Sequence, residues 1–229
     1  MNNEKLECIN EKLKMTGLAL GQGDSGLFLT DGKLDISVDF KEMLPRLMRS
    51  NLQREMLVKA ARIKGQEMPQ TVVDATAGFG EDSLILAAAG FQVRMYEFDE
   101  VIALLLEDGI RRAREIPELK DVVSRLTLEN SDSTVALKKL NYKPDIVLLD
   151  PMFPARQKSA LIKKKFQLIQ RLESPCSAEQ ELLETAFLAE PKKVVIKRPL
   201  KGPYLGDRKP SYSLQGKAIR YDCFVFARI

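Results

Sequence analysis

From Pro69 onward, short apolar runs alternate with longer stretches in which apolar residues recur every three or four positions. "TVVDA", "FQVRMYEF", "RLTLEN", "DIVLLD" and "KVVIK" have the length and β-branched content of buried strands. Helices are expected between them over 82–89, 100–114 and 132–140, with Ile102, Leu105, Leu106 and Ile110 inward on the second, and further helices near 158–172 and 178–190. Strand and helix in alternation imply right-handed βαβ units and a parallel sheet. The last stretch, "SYSLQGKAIRYDCFVFARI", divides into two β-rich pieces around Gln215-Gly216, an antiparallel pair that would bring the sheet to seven strands.

Upstream the rhythm differs. "GLALGQGDSGLFLTDGKLDISV", residues 17–38, sets brief apolar stretches between Gly, Asp-Ser-Gly and Asp-Gly punctuation, the pattern of small hairpins. Leu44, Leu47, Met48, Leu52, Met56, Leu57 and Ala60 then recur at helical spacing until Gly65, which predicts one connecting helix. The expected division is a β-rich appendage over 1–40, a connecting helix within 41–68, and the main α/β domain over 69–229.

Composition narrows the chemistry. With 45% apolar and 30% charged residues the 229-residue chain reads as globular, and no run of eighteen apolar residues suggests a membrane span. "MNNEKLECINEKLKM" mixes acids and lysines where a signal peptide would be apolar, so a cytoplasmic location and no membrane partner are expected. Cys8, Cys176 and Cys223 are far apart and form no CxxC pair, which favours reduced thiols over a metal site. The absence of histidine removes Ser-His and Cys-His pairs and most zinc sites. Carboxylates, lysines, backbone and a cofactor are left to carry any reaction.

The net charge is only +4, yet residues 156–171 hold six basic and no acidic side chains, and residues 192–229 hold ten basic against two acidic. Such asymmetry suits a surface that faces a polyanion. On a helix beginning near Lys158, Leu161, Ile162, Phe166, Ile169 and Leu172 would form an inner stripe and Lys163, Lys164 and Arg171 an outer face. With Arg156, and with Lys197 and Arg198 ending the fifth strand, these are the candidate phosphate contacts.

In an open parallel sheet, ligands bind at the carboxyl ends of the strands where strand order reverses. "DATAGFGED" follows the first strand there and opens a helix, so Gly78 and Gly80 would let backbone approach a ligand. As a dinucleotide fingerprint it fails at the third glycine, which is Ser83, and Glu81 and Asp82 would repel a pyrophosphate. A ligand with an adenosine, an ammonium and a sulfonium would instead suit Asp74, Glu81 and Asp82, which points to S-adenosylmethionine (SAM). Glu97, ending the second strand, is placed for ribose hydroxyls, and Asp132 and Ser133, after the third, for adenine or for ordinary helix capping.

Asp150 ends the fourth strand, and Pro151 and Pro154 stiffen the backbone beyond it. A fixed carboxylate beside a backbone carbonyl offers two acceptors for the two hydrogens of a nucleobase amine, and Phe153 offers a surface on which an extruded base could stack. Transfer from a sulfonium to such a nitrogen needs orientation and charge stabilisation rather than a metal or histidine. Residues alone leave open another exocyclic amine such as that of adenine, an NAD-linked oxidoreductase, and a non-catalytic assembly factor.

"DATAGFGEDSLILAAAGFQVRMYEFDEVIALLLEDG", "LLDPMFPARQKSALIKKK" and "VVIKRP" together resemble the small-subunit ribosomal RNA guanine-N2 methyltransferase family called RsmJ, over residues 35 to the C-terminus. The resemblance implies a Rossmann-like class I methyltransferase fold, SAM as cofactor, and methylation of a guanosine N2 amine in 16S ribosomal RNA of the small subunit. It also implies cofactor contacts at positions matching Glu81, Asp82, Glu97, Phe98, Asp132, Ser133 and Asp150. The sequence departs from the family pattern at Glu81, Phe98 and Asp132.

Overall fold

The structure, a computed structural model, describes residues 3–151, 172 and 179–226. The expected alternation is present. Strands β4 (Thr71–Asp74), β5 (Gln92–Glu97), β6 (Leu126–Asn130), β7 (Ile146–Leu149) and β8 (Lys193–Pro199) are joined in parallel, in the spatial order β6-β5-β4-β7-β8. β9 (Tyr212–Gln215) and β10 (Ile219–Val225) close the sheet, and β10 inserts between β8 and β9, antiparallel to both. Strand order reverses between β4 and β7, whose registered pair Asp74 and Leu148 marks the switch point.

Each central strand sends alternate residues to opposite faces, so each face needs its own covering layer. Val72, Ile146, Leu148, Val195 and Tyr221 join one buried cluster with Leu84, Leu105 and Leu106 of helices α5 (Glu81–Ala88) and α6 (Glu100–Ala113). Val73, Val147, Leu149, Val194 and Ile196 join a second with Ala136 and Leu137 of α8 (Ser133–Lys138) and with Leu182 and Leu183 of α9 (Glu179–Leu188). The helices anticipated near 158–172 and at the start of 178–190 fall on residues outside those described.

The N-terminal hairpins are β1 (Ala19–Gly23), β2 (Gly26–Thr30) and β3 (Asp35–Ile36), an antiparallel sheet preceded by a helix, α1 (Asn3–Leu13), that the hairpin pattern does not predict. Leu6, Ile9 and Leu13 of α1 lie three and four residues apart, and they pack with Leu20, Leu29 and Leu106 in a single cluster. Asp108 of α6 fixes the contact further, accepting from the Leu27 amide at 3.0 Å and from Arg112 at 2.8 Å. The appendage therefore shares its core with the main sheet.

The connector is not one helix. It consists of short turns: a 3-10 turn at Phe40–Met43, α2 (Leu44–Leu47), α3 (Arg49–Leu52) and α4 (Met56–Ala61). Met48 and Glu55 have ψ of 138° and 121°, which breaks the i to i+4 ladder at each joint while keeping the apolar side chains on the core side. Helix α7 (Pro117–Val123) is a further element that periodicity does not announce: it is short, with Pro117 at its first position, and buries only Leu119 and Val123.

Candidate active site at the carboxyl ends of the strands

β4 ends in Asp74, and the chain then turns through 75–80 into α5. Gly78 and Gly80 both have positive φ, 53° and 73°, and Gly80 is the N-cap of α5. A Cβ at Gly80 would lie 2.6 Å from Leu106 Cδ1, so only glycine fits where the loop presses on α6. Among the described residues a Cβ at Gly78 would meet nothing within 4 Å.

Asp74 departs from the expected role. It is 2% exposed and lies beneath the loop, where its oxygens accept from the Thr76 amide at 3.1 Å and from the Ser83 hydroxyl at 2.6 Å. It therefore holds the loop from below instead of presenting a charge to a ligand. Ser83, the residue that spoils the dinucleotide fingerprint, is its hydroxyl partner. Burial pushes the Asp74 carboxyl up to about 7, against the pull of its two hydrogen bonds, and the nearby Asp82 and Asp150 raise it further.

A raised carboxyl pKa means that the folded state holds the proton more tightly than the unfolded chain. The stability it contributes is complete below the ordinary value near 4 and is lost as pH climbs through 7. Replacing Asp74 with asparagine, which can keep both hydrogen bonds, is expected to flatten the fall in unfolding free energy between pH 4 and 7. That fall should be on the order of 3 kcal/mol, read by urea unfolding at several pH values. An unchanged slope in D74N would remove Asp74 as its source.

Glu97, at the end of β5, is 8% exposed and receives two backbone amides, Gly78 at 2.8 Å and Asp99 at 2.9 Å. Burial raises its pKa and the amides oppose that rise. The same contact ties the glycine loop to the strand beside it. Phe98 follows with 75% of its surface exposed, an aromatic face left open next to the acid. Asn130, which carries no motif in the sequence, donates to the Glu97 and Phe98 carbonyls at 2.8 and 3.1 Å and clamps the ends of β5 and β6 together.

Asp132 is the N-cap of α8, accepting from the Thr134 amide at 2.8 Å and from its hydroxyl at 2.7 Å, so the capping alternative accounts for this carboxylate. Ser133 opens α8 and is partly exposed. Glu81 points to solvent from the first turn of α5, whereas Asp82 turns inward, so the two acids do not act as a pair.

Asp150 stands past the end of β7, at the switch point. Its amide donates to Thr76 Oγ1 at 2.6 Å, which fastens it to the β4 loop, while its side chain stays 37% exposed. Lys197 bridges it to α5: its Nζ lies 2.9 Å from Asp150 and 2.6 Å from Asp82. Burial and the repulsion of Asp82 raise the Asp150 carboxyl, and Lys197 draws it down. The two carboxylates outweigh burial at Lys197 and hold its ammonium well above the ordinary lysine range. Pro151 is buried immediately after Asp150, whereas Phe153, Arg156, Lys158, Lys163, Lys164 and Arg171 lie outside the described residues.

The shared rim expected of Lys197 and Arg198 is corrected. Adjacent residues of a strand face opposite sides, so Lys197 joins the α5 face and Arg198 the α9 face. Arg198 is 1% exposed, with its Nε donating to the Pro203 carbonyl at 3.1 Å, and it is closed to an RNA. Among the described residues, two without a sequence signal also lie nearby. Tyr221 of β10, the register partner of Lys197, is buried, and burial followed by the charge of Asp82 holds its phenol high. Arg46 of α2 forms a two-bond pair with Glu55 at 2.6 and 3.1 Å and feels the charge of Asp82.

Sheet order, glycine turn and strand-end acids are those of a Rossmann-like, class I methyltransferase. The match to a family described as putative SAM-dependent methyltransferase runs over residues 5–226, and the chain belongs to that family. It is 40% identical over 202 residues to the ribosomal RNA small subunit methyltransferase J of Neisseria meningitidis, covering 87% of this chain and 80% of that protein. The protein of the same name from Thioalkalivibrio sulfidiphilus is 40% identical over 182 residues, 79% of this chain and 71% of the relative. The crystal structure of a SAM-dependent methyltransferase from Neisseria gonorrhoeae superposes with a TM-score of 0.74 at 34% identity, over 91% of this chain and 83% of that one.

The methyl donor is therefore SAM, and the residues present fit it. Among the described residues nothing crowds Gly78, Glu97 is anchored with lone pairs to spare, and Lys197 is neutralised by two carboxylates, a setting for a cationic ligand and not for a pyrophosphate. Among the described residues no cluster of His, Cys, Asp or Glu could hold a metal ion, and no helix is long and apolar enough to cross a membrane.

Proposed function

We propose that this protein transfers a methyl group from SAM to the exocyclic N2 amine of a guanosine in 16S ribosomal RNA of the small subunit, in the cytoplasm. The observation that carries this reading is Asp150, a partly exposed carboxylate fixed through Thr76 and Lys197 at the switch point beside the glycine loop. The names of the relatives supply the small subunit, and the resemblance to the guanine-N2 family supplies the position on the base.

SAM brings an electrophilic methyl group that needs no further activation. The protein's work is to hold the amine in line and to accept hydrogen bonds that strengthen as the nitrogen becomes positive. Asp150 does this with an ionised carboxylate, and the proton leaves to it or to water after transfer. Gly78, Gly80, Glu97 and Phe98 line the cofactor side, with Ser133 at the adenine end. Glu81 stands over the loop entrance, and Asp82 acts from within through Lys197. Pro151 restrains the chain behind Asp150, and Phe153 carries the base. Arg156, Lys158, Lys163, Lys164 and Arg171 contact phosphates. In this scheme residues 69–229 form the catalytic unit, and 1–40 and 41–68 are distinct by role while sharing its core.

The test is incubation with labelled SAM and small subunits from cells lacking the protein, followed by mass spectrometry of the modified nucleotide. Label on guanine N2 is expected. Label on adenine N6, or on naked DNA in preference to subunits, would overturn the substrate assignment.

A further inference from the structure

Beside the acid cluster, on the same face of the sheet, a cleft of about 400 Å³ opens between the connector and β10, lined by Arg46, Asn51, Arg54, Glu55, Met56, Ile219 and Tyr221. It is large enough for a nucleotide-sized group. Its inner wall is Tyr221, the cross-strand partner of Lys197, so the floor of the cleft and the bridge between Asp82 and Asp150 are neighbours on adjacent strands.

The charge of this region exceeds what its folding uses. Residues 41–64 carry seven basic side chains against two acidic ones. Glu55 is committed to Arg46, and Arg54 is exposed and forms no ion pair among the described residues. The β9–β10 turn adjoins the cleft at Met56 and Ile219: a Cβ at Gly216 would lie 2.6 Å from Met56 Cε, and Lys217 is exposed between that contact and the lining residue Ile219. The broken connector has a consequence here: a single long helix would not leave a concave wall, whereas the joints at Met48 and Glu55 do.

We propose that this cleft binds the phosphodiester backbone of the substrate RNA next to the nucleotide being methylated, with Arg54 of its lining and Lys217 of the adjoining turn as phosphate contacts. The proposal rests on the RNA reading given above. It adds a second basic surface, on the connector side of the acid cluster, in place of the buried Arg198. Arg46, fixed by Glu55 near Asp82, offers its remaining donors to the cleft and links the strand path to the acid cluster. Such contacts set the register of the strand without reading its sequence, and leave base recognition to the pocket.

The experiment compares the wild type with Arg54→Glu and with the double variant Arg54→Glu, Lys217→Glu. Affinity for small subunits or for a labelled RNA fragment spanning the methylated site is measured at several salt concentrations, with S-adenosylhomocysteine binding as the check on the fold. The double variant is expected to bind RNA about tenfold more weakly or worse, with a log-log salt dependence shallower by about 1.5. Arg54→Lys combined with wild-type Lys217 should restore most of the affinity, and S-adenosylhomocysteine binding should not change. Wild-type affinity and slope in the double variant would overturn the proposal. A wild-type protein that binds S-adenosylhomocysteine but no RNA under any condition would instead overturn the reading on which it rests.

Discussion

Alanine at Asp150 is expected to lower the single-turnover rate of methyl transfer by at least about a hundredfold, with the affinities for S-adenosylhomocysteine and for the RNA changed by no more than a few-fold. The side chain is short, stands past the end of a fully buried strand, and is held at its backbone by Thr76 and at its carboxylate by Lys197. Its removal takes away an acceptor that a nucleobase amine needs most when the nitrogen acquires charge, an interaction of the transition state more than of the bound substrate. Asp150→Asn, which keeps one acceptor but turns an NH2 toward the site, should be similarly poor. Turnover in Asp150→Ala within a few-fold of wild type would refute the role of this carboxylate, and lost RNA affinity together with lost turnover would make it a binding residue.

The parts of the fold that were legible are those in which a single physical pattern acts alone. Buried parallel strands are continuous apolar runs, so β4, β7 and β8 could be placed from "TVVDA", "DIVLLD" and "KVVIK", and the strand-end acids Asp74 and Asp150 followed from their position in those runs, as Glu97 did from the end of "FQVRMYEF". What stayed hidden depended on direction. Asp74 ends its strand as expected, but only the closing of the loop by Ser83 and Thr76 turns it into an internal anchor. Lys197 and Arg198 look like one basic rim as a string of letters and become a bridge between Asp82 and Asp150 and a buried arginine once the pleat separates them.

The connector illustrates a second limit. Its apolar spacing is helical and its apolar residues do pack inward, yet the backbone departs from the helix at Met48 and Glu55, a tertiary decision that periodicity does not encode. Helix α1 is the reverse case, an amphipathic pattern at Leu6, Ile9 and Leu13 masked by the stronger hairpin signals beside it. Tyr221 and Asn130 carry no motif at all. They matter because β10 lies beside β8 and β6 beside β5, and such pairings are fixed by topology.

Methionine at Lys197 is expected to move the acid limb of the pH–rate profile upward by about one to two pH units. The ammonium lies 2.9 Å from Asp150 and 2.6 Å from Asp82, so in its absence the two carboxylates face each other with Asp74 buried behind them. Burial and Asp82 already raise Asp150, and Lys197 is the principal group that opposes them, with a smaller pull from Arg198. Without it the proton is held more tightly, and a higher pH is needed to expose the ionised acceptor. Tyr221 and Arg46, which also lie near Asp82, stay fixed in the comparison. Since burial pushes the Asp74 carboxyl up to about 7 in the same region, the D74N background separates its contribution from that of Asp150. A lysine that served only to hold the fold would lower the melting temperature and leave the midpoint of the limb in place. An arginine, which keeps the charge, should return the midpoint toward wild type. A midpoint unmoved in Lys197→Met, in protein that still binds S-adenosylhomocysteine, would show that the bridge does not govern the ionisation of Asp150.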